Sequence, residues 1–146
     1  MSRFAGSFPS LSSGTLWAVY ESLDFVYTPV EDARAAAEAY QRLGAAYLWR
    51  VRAFGTVVAC VRMAETCPAI LLAEHLHEPE PILVYRVADY DAAVAALRAA
   101  GVEELLESGI PHGPLASFRG PAGGRIAVYE LTRPEAVDRF DGRFDD

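Results

Sequence analysis

The stretch ILVYRVADYDAAVAALRAAGV, residues 82–102, decides the reading of the fold. It opens as an apolar run and meets an acidic residue at Asp89. It continues as an Ala-rich run with Val94, Leu97 and Ala100 at helical spacing, and stops at Gly101. An aspartate before such a run caps a helix, because its carboxylate accepts from the free amides of the first turn. A glycine just beyond the run supplies the left-handed residue that ends one. The stretch therefore reads as strand, cap, helix, stop. An earlier stretch, FVYTPVEDARAAAEAYQRLGA (residues 25–45), has the same order, with Asp32 as cap, Ala36, Ala37, Tyr40 and Leu43 as the apolar stripe and Gly44 as stop. Val30 and Val87, Asp32 and Asp89, Ala35 and Ala92, and Gly44 and Gly101 are each 57 positions apart, as are Ala59 and Ala116, and Arg62 and Arg119. One deletion in a later turn changes the offset to 56, and then Ile70 meets Ile126 and Glu74 meets Glu130. Alanine matches carry little in an Ala-rich chain. The caps and stops carry more, since each fixes a boundary.

Each strand–helix unit is followed by three further strands. AYLWRVRA, TVVACVRM and AILLAEHL follow the first, with turn signals at Gly55 and ETCP. VEELLE (the weakest), LASFRG and RIAVYEL follow the second, with the turn PAGG. The expected fold class is α+β: two tandem βαβββ modules forming curved mixed sheets around a concave cavity. Residues 1–22 are expected to form an N-terminal arm with a short strand at TLWAVY, 23–132 a single domain with modules at about 23–78 and 79–132, and 133–146 a C-terminal tail. AILLA, PILVY and RIAVY are apolar at both parities, so both sheet faces must be covered. Helices cover one; a partner sheet or a ligand pocket must cover the other. Strand alternation turns Tyr85 and Val87 toward the helix and Ile82, Val84 and Arg86 toward the concave side. The expected concave set also holds Phe25, Tyr27, Glu74 (with Ile70 and Leu72) and Glu130 (with Ile126 and Val128). Two carboxylates and one arginine thus enter an apolar cavity.

Composition narrows the function. A chain of 146 residues suits one compact domain. A net charge of −7 disfavours nucleic acid and anionic membrane surfaces as partners. All 13 basic residues are Arg, which excludes lysine chemistry, and there is no Asn. The first residues lack a secretory apolar run, and no stretch approaches the ~20 apolar residues of a membrane span, so a cytoplasmic location is expected. Cys60 and Cys67 read as small buried residues. His75 and His77 fall in the Pro-rich EHLHEPEP and read as surface histidines, whereas His112 precedes a strand at the expected cavity rim. Tyr27, Trp49, Phe54 and Phe118 are candidates to stack on a flat ligand. Ser117 has no evident His–Asp relay, and no Gly-rich phosphate loop precedes a helix.

LDFVYTPVEDARAAAEAYQRLG, ILVYRVADYDAAVAALRAAGV and the closing SFRGPAGGRIAVYEL resemble the vicinal oxygen chelate superfamily of glyoxalases, extradiol dioxygenases and bleomycin-resistance proteins. The last segment is similar to that family's F-x-DPDG-x-x-x-E-L ending, with Gly120 and Ala122 where acidic residues usually stand. The resemblance covers about residues 23–132 and implies paired βαβββ modules, often in a homodimer, with the site inside the curved sheets. It also implies a metal held by His or Gln from each module's first strand and Glu from each last strand. Carried over, the glutamates are Glu130 and Glu74, or Leu72 in place of Glu74 if the register is anchored on AILL. The first-strand positions are Phe25 and Ile82, which cannot bind metal.

The leading expectation is a small-molecule-binding protein of the glyoxalase/bleomycin-resistance type, without a transition metal. It holds an apolar or aromatic ligand against Phe25, Tyr27, Trp49, Ile82, Arg86, Phe118 and His112. No cofactor is expected; the alternative is a hard divalent ion on Glu74 and Glu130. A second reading is a lyase or isomerase using those two glutamates as acid and base or as metal ligands. A third is a dimeric scaffold whose cavity is filled.

Overall fold

The computed structural model describes residues 20–77 and 79–146. Asp32 accepts from the Ala35 amide at 3.0 Å and starts helix α1 (Ala33–Arg42); Asp89 accepts from Ala92 at 3.0 Å and starts α2 (Tyr90–Ala99). Gly44 and Gly101 end these helices at φ 105° and 102°, a region that glycine enters without a Cβ clash. Strand β1 (Tyr20–Pro29) precedes α1, and β2 (Ala46–Ala53), β3 (Thr56–Arg62) and β4 (Ala69–Ala73) follow it. In the second module β5 (Ile82–Val87) precedes α2, and β6 (Leu106–Ile110), β7 (Gly113–Arg119) and β8 (Arg125–Glu130) follow. The expected arm at 1–22, with TLWAVY, lies outside the described residues except for Tyr20–Ser22, which begin β1. VEELLE is displaced: the Val102 amide still donates to the Leu97 carbonyl to finish the helix exit, so β6 starts at Leu106.

The strands make one eight-stranded mixed sheet in the order β2-β3-β4-β1-β5-β8-β7-β6. The modules join where β1 runs antiparallel to β5. Within each module the first and last strands pair in parallel, and their registers correspond residue by residue. Phe25 lies beside Ala69 and Tyr27 beside Leu71, as Ile82 lies beside Arg125 and Val84 beside Ala127. The repeat seen in the sequence is therefore a repeat of hydrogen-bonded register.

Both helices cover the same face. Under α1, Ala33 and Ala37 meet Ala59, Val61 and Leu72. The small alanines let the helix lie close to the sheet, and burying Leu72 contributes roughly 1.5–3 kcal/mol. Under α2, Tyr90, Ala93 and Leu97 meet Val87, Ala116, Phe118 and Val128. The buried stripes start one turn earlier than expected. Leu43 is the C-cap of α1 and is 73% exposed. On the other face Val84, Ala127 and Tyr129 form a third cluster with Phe25, Tyr27 and Ile82.

After β8 the chain makes a short 3-10 turn (Pro134–Ala136) and crosses to the far edge of the sheet. There the Arg50 amide donates to the Arg143 carbonyl (2.8 Å), Asp145 donates back to Arg50 (2.7 Å) and Gly142 donates to Leu48 (2.9 Å). The tail thus satisfies an edge strand that would otherwise present unpaired amides and carbonyls. Arg50, 7% exposed, locks it in place. Its Nε donates to the Asp145 carbonyl (2.6 Å), its Nη1 to the Tyr47 hydroxyl (2.7 Å), and it lies over the Phe144 ring.

Candidate functional site

The face opposite the helices lines a cavity of about 560 Å³. Two bulges shape it. Leu23 pairs with Tyr85 and Phe25 with Val84, which leaves Asp24 as an extra residue. Asp24 and Phe25 therefore both reach the cavity wall, where simple alternation would divide them between faces. In β2 a second irregularity falls between Tyr47, opposite Val61, and Trp49, opposite Cys60. Tyr47 packs beneath α1, while Leu48 and Trp49 line the cavity. The tail closes one side, with Phe140 edge-on to Trp49 at 5.4 Å.

One cluster of polar side chains centres on Asp24. The Tyr129 hydroxyl donates to Asp24 Oδ2, and Ser22 Oγ donates to Oδ1 at 2.5 Å. Arg86 Nε lies 3.4 Å from Asp24 and 3.7 Å from Glu21, and is buried without a hydrogen bond. Burial, and then the bond to Asp24, hold the Tyr129 phenol well above its ordinary range. His112 is edge-on to Phe25 (5.2 Å) and Tyr129 (6.0 Å), and its Nδ1 is buried without a partner. Burial lowers the His112 pKa; Asp24 opposes this, while Arg139 and Arg133 reinforce it.

The β2–β3 hairpin marks another part of the cavity margin, where Phe54 lies against His75 (4.6 Å between centroids) and His75 against Tyr27 (6.0 Å). Burial pushes the Tyr27 phenol up to about 12 and lowers the His75 pKa, the latter with help from His77.

Of the residues expected from sequence, Phe25, Tyr27, Trp49, Phe54, Arg86 and His112 come together on the cavity wall. Ile82 packs on the same side, in the Val84–Tyr129 cluster, without lining the cavity. Three placements are corrected. Phe118 is buried beneath α2. Glu74 Oε2 accepts from the Ala33 amide (2.9 Å) and its Oε1 from Val57 (3.3 Å), while Glu130 Oε1 accepts from the Tyr90 amide (2.7 Å). The two glutamates thus satisfy free amides at the two helix N-termini, where the helix dipole favours negative charge. The cause is register: Ala69 and Leu71 stand beside Phe25 and Tyr27, so Ile70, Leu72 and Glu74 turn to α1, and Ile126, Val128 and Glu130 likewise turn to α2. Both strands are apolar at both parities, so their sequence carries no sign of which face is which. Asp24 and Tyr129 were missed. A lone carboxylate between Leu23 and Phe25 in an apolar strand was the available signal for Asp24. Cys67 is exposed, contrary to expectation, whereas burial pushes the thiol of Cys60 up to about 12; both line the cavity.

The concave positions do not fit the metal set that the resemblance implies. Phe25 and Ile82 stand beside Ala69 and Arg125, with Leu71 and Ala127 next along, and none of these offers a metal donor. Among the described residues no group of three or more His, Cys, Asp or Glu could hold a metal ion. No helix among them is long and apolar enough to cross a membrane.

No family model matches the sequence, and no curated protein matches it. Solved structures do match. Methylmalonyl-CoA epimerase of Streptomyces coelicolor, a variant in complex with 2-nitronate-propionyl-CoA, is 17% identical with a TM-score of 0.63, over 77% of this chain and 96% of that one. A hypothetical protein of Bacillus halodurans is 16% identical with a TM-score of 0.64, over 77% and 95% of the two chains. The 2,2',3-trihydroxybiphenyl 1,2-dioxygenase of Sphingomonas wittichii is 15% identical with a TM-score of 0.57, over 96% of this chain and 55% of that one. With its paired modules, joined sheet and helices on one face, the chain has the fold of the vicinal oxygen chelate superfamily.

Proposed function

We propose that the protein binds an apolar or aromatic small molecule in the concave cavity, in the manner of glyoxalase/bleomycin-resistance proteins and without a transition metal. The observation that carries this reading is the cavity itself: about 560 Å³, with Phe25, Tyr27 and Trp49 in its wall and a cluster of Asp24, Arg86, His112 and Tyr129 among its polar lining. Ligand sites combine an apolar lining with a few convergent polar groups in this way. The apolar wall holds the body of the ligand. Arg86 offers its terminal nitrogens, and His112 its ring nitrogens, to a polar substituent. An open cavity of this size supports binding over a filled scaffold. The engagement of Glu74 and Glu130 at helix ends weighs against the lyase or isomerase reading, which uses that pair.

N-phenyl-1-naphthylamine, a neutral dye that fluoresces in apolar sites, tests the proposal. Saturable binding of one dye per chain is expected, weakened by Tyr27→Ala. Absence of saturable binding overturns the reading. Elemental analysis of protein purified without added metal tests the metal-free part, which stoichiometric Ni, Zn, Fe or Mn would refute.

A further inference from the structure

Phe54 is in a conformation that its side chain disfavours. It is the sole non-glycine with positive φ among the described residues, at 56°, and Gly55 follows at 74°. Ala53 and Thr56 close the hairpin around these two residues. A two-residue turn with both centres left-handed selects Asn, Asp or Gly at the first position, and a bulky ring there is strained. The ring is also 73% exposed, so core burial does not compensate. Nor does the fold demand it. The equivalent hairpin of the second module closes Ile110 on Gly113 around Pro111 and His112, neither of which has positive φ.

The strained ring has a definite place. It lines the cavity and lies against His75, which in turn lies against Tyr27, so that three flat side chains run from the exposed rim into the cavity wall. Strain combined with exposure at a cavity margin marks a position kept for function over stability. We infer that Phe54 is a specificity-determining residue: a rim clamp that makes the cavity prefer planar aromatic ligands to saturated ones of the same skeleton. This rests on the binding function proposed above and adds the ligand's shape and the residue that reads it.

The test is displacement of N-phenyl-1-naphthylamine by 2-naphthol and by its saturated counterpart decahydro-2-naphthol. These share the fused-ring skeleton and the hydroxyl but differ in planarity. Wild-type protein is expected to prefer 2-naphthol by roughly 3- to 10-fold, the range of one aromatic contact. In Phe54→Asn the preference falls to about one, affinity for the saturated compound changes less than about twofold, and the urea midpoint rises as the strain is relieved. Phe54→Leu, which keeps apolar bulk, also loses the preference, and Phe54→Tyr keeps it. Full preference in Phe54→Asn, or a lower urea midpoint for that variant, overturns the inference while leaving the cavity reading intact. If the wild type binds neither the dye nor either competitor, the cavity reading falls and the inference with it.

Discussion

The two faces of the sheet use the same repeat differently. At the helix ends the modules agree closely. Asp32 and Asp89 cap their helices at the same 3.0 Å, Gly44 and Gly101 end them within 3° of each other in φ, and Glu74 and Glu130 bond the first helical amides. On the concave face equivalent positions share almost nothing: Phe25 answers Ile82, Tyr27 answers Val84, and Ala73 answers Tyr129. Backbone groups at a helix end make the same demand in both modules, so the residues that meet it persist. A cavity shared by both modules needs only one copy of each contact, so its two halves are free to diverge. The edges differ too: the tail covers β2, while residues 106–109 of β6 remain exposed.

Removing the tail should break this asymmetry most severely. Truncation before Pro134 strips Arg50 of the Asp145 carbonyl and the Phe144 ring, uncovers β2 and removes Phe140 from the cavity. A loss on the order of 3–5 kcal/mol is expected in urea unfolding. A charge at the other edge, Leu106→Lys, should stay within about 0.5 kcal/mol. Equal losses from the two changes would refute the distinction between covered and open edges.

The glutamate pair sharpens the comparison next. Glu74→Ala and Glu130→Ala should each cost about 1–3 kcal/mol, and the double variant should lose the sum within about 0.5 kcal/mol, because the sites share no partner. A normal dye affinity in both variants is the expected companion result. Loss of dye binding at unchanged stability would return these residues to the cavity. On the concave face Tyr129→Phe should cost a smaller ~1 kcal/mol, since Asp24 retains Ser22 and Arg86. Its repeat partner, Ala73, has no comparable hydroxyl to lose.

The smallest effect is a pH dependence. Burial lowers the pKa of His112, and of His75, below the ordinary 6.5. Around His112, Asp24 favours the proton and Arg133 and Arg139 oppose it. The unfolded chain therefore binds more protons than the native one below neutrality, so stability rises with pH there. The contribution is fully present above 6.5, declines as pH falls below it, and stops declining once the lowered native value is passed. His112→Gln should flatten the slope of unfolding free energy between about pH 7.5 and 5.5. An unchanged slope would show that His112 is not part of the linkage.

The helices, their caps and stops, and the doubled module with its 57-residue offset were legible in the chain. Each depends on residues within a few positions of one another, because a helix end is satisfied or left open locally. Asp32 announces a cap whatever lies across the sheet, and the 57-residue offset needs only a second copy for comparison. Which face a strand shows was not legible. RIAVYE is apolar at both parities, and only pairing with β5 decides that Tyr129 meets Asp24 while Glu130 meets α2. The same holds for the bulge that frees Asp24, for the Phe54 turn above His75, and for the tail that finds β2 some 90 residues upstream. These features depend on cross-strand register and long-range closure. The sequence determined the repeated scaffold by itself, and the tertiary pairing alone decided which of its polar residues face the cavity.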